Sequence, residues 1–116
     1  MKYVYASRMG HVEELINNLN LEAMKIISGD ETIDEDFILF TYTDGHGIVP
    51  ASVVAFLEKN GTHLKGVVAS GSMERHADTF AWAGDIISKD YNVPCLYKVD
   101  GSGTQEDIEK INAYMK

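Results

Sequence analysis

The sequence predicts an α/β fold in which a parallel sheet lies between two layers of helices. Apolar strands alternate with amphipathic helices along the whole chain, a pattern typical of parallel sheets because right-handed crossovers place helices on both sheet faces. The second observation is length, since 116 residues suit one compact domain and leave no room for a second core. We therefore expect a single domain over residues 1–116, built on five strands.

The first half of the chain supplies three of these strands. Residues 1–6 form the first, and a helix follows whose apolar side chains have the i, i+3, i+4, i+7 spacing of one face: Val12, Leu15, Ile16 and Leu19. Residues 22–27 can form the second strand. The third, residues 36–42, is a near-continuous apolar run, as expected for a strand buried on both faces.

The next helix and strand have clear boundaries in the sequence. The helix should begin with Pro50 as its first residue and stop at Asn60-Gly61, because proline suits the first helical position and glycine follows helix ends. The side chains expected to face a core are Val53, Val54, Phe56 and Leu57. A buried fourth strand over residues 64–70 then leads to Gly71.

Two helices and the fifth strand complete the predicted fold. The third helix has an apolar face, widened by its flanking residues: Phe80, Ala83, Gly84 and Ile87, with Trp82 and Ile86. Residues 93–99 form the last strand, in which Cys95 should be a small buried hydrophobe. A capping box of Thr104 and Asp107 starts the final helix, which packs through Ile108, Ile111 and Met115.

Charge and composition restrict the classes of function. Eighteen acidic residues against ten basic ones give a net charge of −8, which argues against binding nucleic acid or an anionic membrane, because both require a positive field. A single cysteine excludes an internal disulfide and multi-cysteine metal sites, and no two histidines have helical metal-site spacing. No signal peptide or spanning segment is evident, so we expect a cytoplasmic protein.

Three loops at the carboxyl ends of the predicted strands are the candidate site, because ligands of such folds bind there, where strand order reverses. The loops are rich in Gly, Ser, Thr and His: the first loop, Ser7-Arg8-Met9-Gly10-His11; the second loop, Thr43-Asp44-Gly45-His46-Gly47; and the third loop, Gly71-Ser72-Met73-Glu74-Arg75-His76.

Each loop has a binding interpretation and a plain one. The first runs directly from a strand into a helix, so free amides and the helix dipole favour a phosphate, and Gly10 permits close approach; a glycine at such a junction is more often only a turn. The second can adopt backbone angles open to glycine, or be a flexible turn before Pro50. The third, after Ser70, offers polar groups to a ring edge, or is a solvated surface loop.

The loops belong to a longer ordered series of short motifs. The series contains Ser7 with Gly10 and Val12, Asp34-Glu35-Asp36-Phe37-Ile38-Leu39, Thr41-Tyr42-Thr43, Gly45 and Gly47 with Val49-Pro50, Phe56-Leu57-Glu58, Leu64-Lys65-Gly66-Val67, Ala69-Ser70-Gly71, Val93-Pro94 and Ser102-Gly103-Thr104. Over nearly its whole length the chain thereby resembles the NrdI family, the short flavodoxin-like partners of class Ib ribonucleotide reductase.

The resemblance implies a fold, a cofactor and a role. The fold is a flavodoxin-like three-layer sandwich with strand order 2-1-3-4-5, and the cofactor is flavin mononucleotide (FMN). Reduced FMN would react with dioxygen to give superoxide or a related oxidant for the dimanganese site of the radical-bearing subunit, NrdF, where the tyrosyl radical is assembled. A flavodoxin/NAD(P)H reductase would supply electrons. Gly45, beside flavin N5, would change its carbonyl orientation with redox state.

The resemblance and the loops together give the residues expected to bind the cofactor. They are Ser7, Arg8, Met9, Gly10, His11, Val12, Thr43, Asp44, Gly45, His46, Gly47, Ser70, Gly71, Ser72, Met73, Glu74, Arg75, His76 and Asp78.

The chain departs from the family pattern at several of these positions. Met9 stands where members usually have a threonine that donates to the phosphate, which a methionine side chain cannot do. His11 replaces a common Asn or Thr, and Arg8 could compensate with its charge. The third loop is altered and about one residue longer, and Glu74 with Asp78 near the ring would disfavour added negative charge on the flavin.

Two other functions remain open at this point. One is a general electron-transfer flavodoxin that serves several reductases, although the chain is short for one and its third loop lacks the usual acidic, aromatic ring cover. The other is a flavin-free interaction module that keeps the fold, which Met9 and the altered third loop would allow.

Overall fold

Five parallel strands form the sheet of the computed structural model, which describes the chain apart from residues 46 and 116 and the side chain of residue 76. The strands are β1 (Lys2–Tyr5), β2 (Met24–Lys25), β3 (Phe37–Tyr42), β4 (Leu64–Gly71) and β5 (Cys95–Asp100). Their order is β2-β1-β3-β4-β5, and all four neighbouring pairs are parallel. The predicted strand order is confirmed.

The described part of the chain contains five α-helices, of which α5 follows the last strand: α1 (His11–Asn18), α2 (Ala51–Asn60), α3 (Met73–His76), α4 (Trp82–Tyr91) and α5 (Gln105–Met115). The short helix α3 was not predicted, since the third loop was expected to be irregular. It forms because Ser72 precedes it in extended backbone and its Oγ accepts the Arg75 N–H at 3.1 Å, which satisfies an amide that has no partner inside the helix.

Two apolar clusters, one on each face of the sheet, hold the three layers together. Alternate residues of β3 serve the two faces, so that Phe37 and Leu39 pack under α2 and α4, whereas Ile38 and Phe40 pack under α1 and α5. All four side chains are buried. The prediction of a central strand buried on both faces is therefore confirmed.

Some predicted boundaries and orientations were wrong. Val54 is 41 % exposed because its neighbours set the inward stripe of α2, and Trp82 and Ile86 lie on the outer side of α4, 46 % and 37 % exposed. Pro50 precedes its helix as the capping residue, and its carbonyl accepts the Val53 and Val54 N–H groups. Strand β2 ends at Lys25, so the expected strand to Ile27 is shortened.

The segment after β2 is fixed by polar bonds. The Glu31 carboxylate accepts the N–H groups of Ile27, Ser28 and Gly29 at 2.7, 3.0 and 2.9 Å. These hydrogen bonds, of which the one from the Ser28 N–H has the largest effect, lower the pKa of Glu31 to about 2. The buried Asn60 side chain makes three bonds here, which are to the Ile33 N–H and to the carbonyls of Glu31 and Phe56.

Strand order reverses around β1, which has β2 on one side and β3 on the other. The loops that follow β1 and β3 therefore open into the crevice where ligands of such sheets bind. Within the described part of the chain, no helix has the length and apolar character needed to cross a bilayer.

Candidate functional site

A cavity of about 440 Å³ lies at the carboxyl ends of β1, β3 and β4, within the range of about 300–1,000 Å³ that small-molecule sites occupy. The predicted site residues that line it are Ser7, Arg8, Met9, His11, Val12, Thr43, Gly45, Ser70, Gly71, Ser72, Glu74 and Arg75. All three predicted loops thus meet at one cavity.

Other predicted residues support the cavity or lie away from it. Gly10, Asp44, Gly47, Met73 and Asp78 are not among its lining residues. Residue 46 and the side chain of residue 76 fall outside the described part of the chain, so the structure places neither prediction.

Three lining residues were missed: Tyr42, Thr79 and Ala81. Tyr42 was predicted only as the last residue of the buried third strand, although its place directly before the second loop was a usable signal. Thr79 and Ala81 reach the cavity because the chain turns back after α3. The one sequence signal for that turn was Ser72, a good N-cap residue three positions before Arg75.

The first loop exposes backbone amides at the start of α1. Gly10 has φ +91° and precedes the helix without a side-chain cap, and a Cβ at this position would meet no atom within 4 Å. Ser7 Oγ accepts the Glu13 N–H at 3.3 Å, and the Glu14 N–H bonds to the Gly10 carbonyl. The amides of His11 and Val12, the first two residues of α1, have no partner inside the helix. An anion can therefore approach this helix end closely.

The second loop is a tight backbone turn. Asp44 and Ile48 form an antiparallel bridge through two bonds of 2.8 Å, and Gly45 and Gly47 have φ of +44° and +90°. Asp44 Oδ1 also accepts the Gly45 N–H at 3.0 Å. Such positive φ angles strain most side-chain-bearing residues, which explains the two glycines.

The second loop is packed against residues 79–82, which lead into α4 and are called the α4 segment below. A Cβ on Gly47 would lie 2.8 Å from Trp82 Cε3 and 3.1 Å from the Cβ atoms of Thr79 and Trp82. The same segment lies against β4, since a Cβ on Gly71 would come within 2.6 Å of the Ala81 nitrogen. Because Gly47 and Gly71 have no side chain, the second loop and the end of β4 can both pack closely against this segment.

Arg8 connects the first loop to the second. Its Nη1 lies 2.8 Å from Asp44 Oδ1, and its guanidinium stands 5.3 Å from the centre of the Tyr42 ring, a distance at which a cation is attracted to an aromatic face. Arg8 and Asp44 are both partly exposed. The cation therefore lies at the rim of the cavity, already paired with a carboxylate.

Two hydroxyls at the cavity have no protein partner. Among the described residues, the buried side-chain oxygens without a hydrogen bond are Thr43 Oγ1 and Thr79 Oγ1, and both residues line the cavity. An unpaired buried hydroxyl costs about 1–3 kcal/mol. Because both residues line the cavity, a hydrogen bond to a polar ligand there would relieve this cost, and with the free amides of the first loop the two residues fit a phosphorylated ring compound.

Cys95 and the acidic groups offer no alternative centre. Burial raises the pKa of the Cys95 thiol, with a further contribution from Asp85, so the reactive thiolate is disfavoured. Cys95 is only half-buried, not fully buried as predicted, and its sulfur packs on Gly84. No cluster of three potential metal ligands occurs among the residues that the structure describes.

Comparison with known proteins relates the chain to one family. The family model described as NrdI Flavodoxin like matches residues 3–113. Protein NrdI of Bacillus licheniformis is 40 % identical over 109 residues, which cover 94 % of this chain and 82 % of that protein. Protein NrdI of a Ruegeria species is 38 % identical over 117 residues, covering 94 % and 83 %.

Solved structures support the same fold. Oxidised Flavodoxin 1 from Bacillus cereus superposes with a TM-score of 0.69 at 20 % identity, covering 97 % of this chain and 91 % of that one. A short-chain flavodoxin associated with a bacterial microcompartment gives a TM-score of 0.66 at 20 % identity, with the same coverage. The predicted flavodoxin-like fold is confirmed.

Proposed function

The chain belongs to the NrdI flavodoxin-like family, and from this premise we propose that it is an FMN-binding redox protein that serves a class Ib ribonucleotide reductase. The observation that carries the proposal is the cavity at the strand-order reversal, where free helix amides and two unpaired hydroxyls line one space. When bound and reduced, FMN supplies electrons to dioxygen, and the resulting superoxide or related oxidant would serve NrdF, the dimanganese subunit in which the tyrosyl radical is assembled.

The first loop would hold the phosphate. The amides of His11 and Val12 point out of the first turn of α1, and the positive end of the helix dipole favours a dianion there. Gly10 leaves the approach open. Met9 is 77 % exposed and cannot donate through its side chain, so the backbone and Arg8 would replace the threonine that other members use.

The second and third loops would hold the ring. Thr43 and Thr79 would supply hydrogen bonds to its polar atoms, because their hydroxyls have no protein partner. Gly45 would place its peptide beside the ring, because glycine, which has φ +44° here, has no Cβ and can adopt either orientation of its carbonyl at little steric cost. Of the two carboxylates expected near the ring, only Glu74 lines the cavity, and its charge would oppose added negative charge there.

The first experiment is an absorbance titration of the purified protein with FMN. We expect saturable binding of one FMN per chain, with a shifted flavin spectrum and quenched flavin fluorescence. Gly10→Ala should weaken binding, since a methyl group would enter the space that the phosphate needs. A titration in which excess FMN shows no spectral shift and no quenching of its fluorescence would overturn the proposal and would favour a flavin-free interaction module.

The second experiment tests the role. Reduced holoprotein, regenerated by a flavodoxin/NAD(P)H reductase, should generate a tyrosyl radical in manganese-loaded NrdF in the presence of oxygen, measured by electron paramagnetic resonance. A protein that binds FMN and reduces several acceptors, but gives no radical in NrdF, would instead be a general electron-transfer flavodoxin.

A further inference from the structure

We propose that Asp44 determines how strongly the site prefers phosphorylated over unphosphorylated flavin, because it competes with the phosphate for Arg8. This inference rests on the proposed function. It concerns one ion pair at the cavity rim, Arg8 Nη1 to Asp44 Oδ1 at 2.8 Å, and it assigns a role to a carboxylate that does not itself line the cavity.

The geometry places one cation within reach of two anionic positions. Arg8 belongs to the first loop, two residues before the glycine that opens α1, and its side chain lines the cavity. The Tyr42 ring lies 5.3 Å from its guanidinium and keeps the charge between the first and second loops. A phosphate at the amides of α1 would therefore be close to a cation that is currently paired with Asp44.

The strength of the pair makes the competition possible. An ion pair between partly exposed side chains contributes about 0.2–1 kcal/mol, which corresponds to about a one-and-a-half- to fivefold effect on an equilibrium. A phosphate monoester carries about twice the charge of a carboxylate at neutral pH, so by Coulomb's law it attracts the guanidinium more strongly than Asp44 does. The phosphate should therefore draw Arg8 away from Asp44, and the free energy of the broken ion pair is lost from the affinity for FMN.

Asp44 also has a structural bond that the test must preserve. Its Oδ1 accepts the Gly45 N–H at 3.0 Å, so removal of the side chain would disturb the second loop. Asp44→Asn keeps an oxygen that can accept this bond and removes the charge, while the second carboxylate oxygen becomes an NH2 group. The matched change on the other side is Arg8→Met, which keeps an unbranched apolar stem over the Tyr42 ring without the guanidinium.

The experiment measures dissociation constants for FMN and for riboflavin, which lacks the phosphate, in the wild type, both single variants and the double variant, by quenching of flavin fluorescence. Asp44→Asn should raise the ratio of FMN to riboflavin affinity about one-and-a-half- to fivefold. Arg8→Met should lower this ratio about tenfold or more. In the Arg8→Met background, Asp44→Asn should no longer change the ratio.

The outcomes separate the inference from the function on which it rests. A ratio that stays constant in Asp44→Asn, or one that rises equally with and without Arg8, would overturn competition; the second result would mean that Asp44 acts by direct repulsion. Failure of the wild type to bind either flavin would instead overturn the proposed function. Circular dichroism of each variant checks that the fold is retained.

Discussion

Two glycines in the candidate site have nearly the same backbone conformation but very different surroundings, and this allows a direct test of how the second loop is held. Gly10 has φ +91° and Gly47 has φ +90°. A Cβ on Gly10 would meet nothing within 4 Å, whereas a Cβ on Gly47 would lie 2.8 Å from Trp82 Cε3. Alanine at each position therefore separates conformational strain from steric overlap.

The expected costs follow from these two terms. Left-handed backbone costs a residue with a side chain about 1–2 kcal/mol, so Gly10→Ala should lower the free energy of unfolding by that amount. Gly47→Ala adds overpacking, which typically costs about 1–3 kcal/mol. Rotation of the Trp82 ring cannot relieve all of it, because the Trp82 Cβ and Thr79 Cβ are also only 3.1 Å away. We expect a total of about 2–5 kcal/mol.

Urea unfolding followed by circular dichroism gives both free energies. The fluorescence of Trp82, the single tryptophan of the chain, reports on the contact itself and should change in Gly47→Ala but not in Gly10→Ala. The double variant Gly47→Ala/Trp82→Ala should recover part of the lost stability. If Gly47→Ala lowers the free energy of unfolding by no more than Gly10→Ala does, close packing against the α4 segment does not hold the second loop.

Three other predictions concern single residues. Asn60→Leu should lower the free energy of unfolding by about 2–4 kcal/mol in urea titrations, because three bonds are lost and their backbone partners stay buried, while FMN affinity should not change. The low pKa of Glu31 contributes stability above its unfolded value near 4.5, so the advantage of wild type over Glu31→Gln should disappear as the pH falls towards about 2; a constant difference would contradict this. Thr79→Val should weaken FMN binding about two- to tenfold, and Thr79→Ser should not, in the same fluorescence titration.

The sheet could be predicted from the sequence because its central strands are runs of apolar residues. Residues 37–40 are all buried, and that requires a strand covered on both faces. Helix faces were predictable where three inward residues at i, i+3 and i+4 agree, as in Val53, Phe56 and Leu57. They were wrong where an extra apolar residue, such as Val54 or Ile86, lies outside that stripe, since periodicity alone does not limit the width of a face.

The candidate site was predictable to the extent that topology determines it. Loops after β1, β3 and β4 meet at the carboxyl end of any parallel sheet of this order, so the positions of Ser7, Thr43 and Ser72 in the sequence were enough to predict that they line one cavity. Thr79 was not found, because its approach to the cavity depends on a short helix and on contacts with Gly47 that have no sequence periodicity.

Backbone features dominate this site, and this explains why the departures from the family pattern need not abolish ligand binding. The positive φ of Gly10 and Gly45, the open amides of α1 and the close approach of Gly71 to the α4 segment depend on glycine and on the main chain. They do not depend on the side chains that depart from the family pattern. A side-chain hydroxyl lost at Met9 removes one hydrogen bond to a charged phosphate, about 1.5–3 kcal/mol, against several amides that remain. The side chains would then adjust preference rather than create the site, and Arg8 with its carboxylate partner is where that adjustment should be measurable.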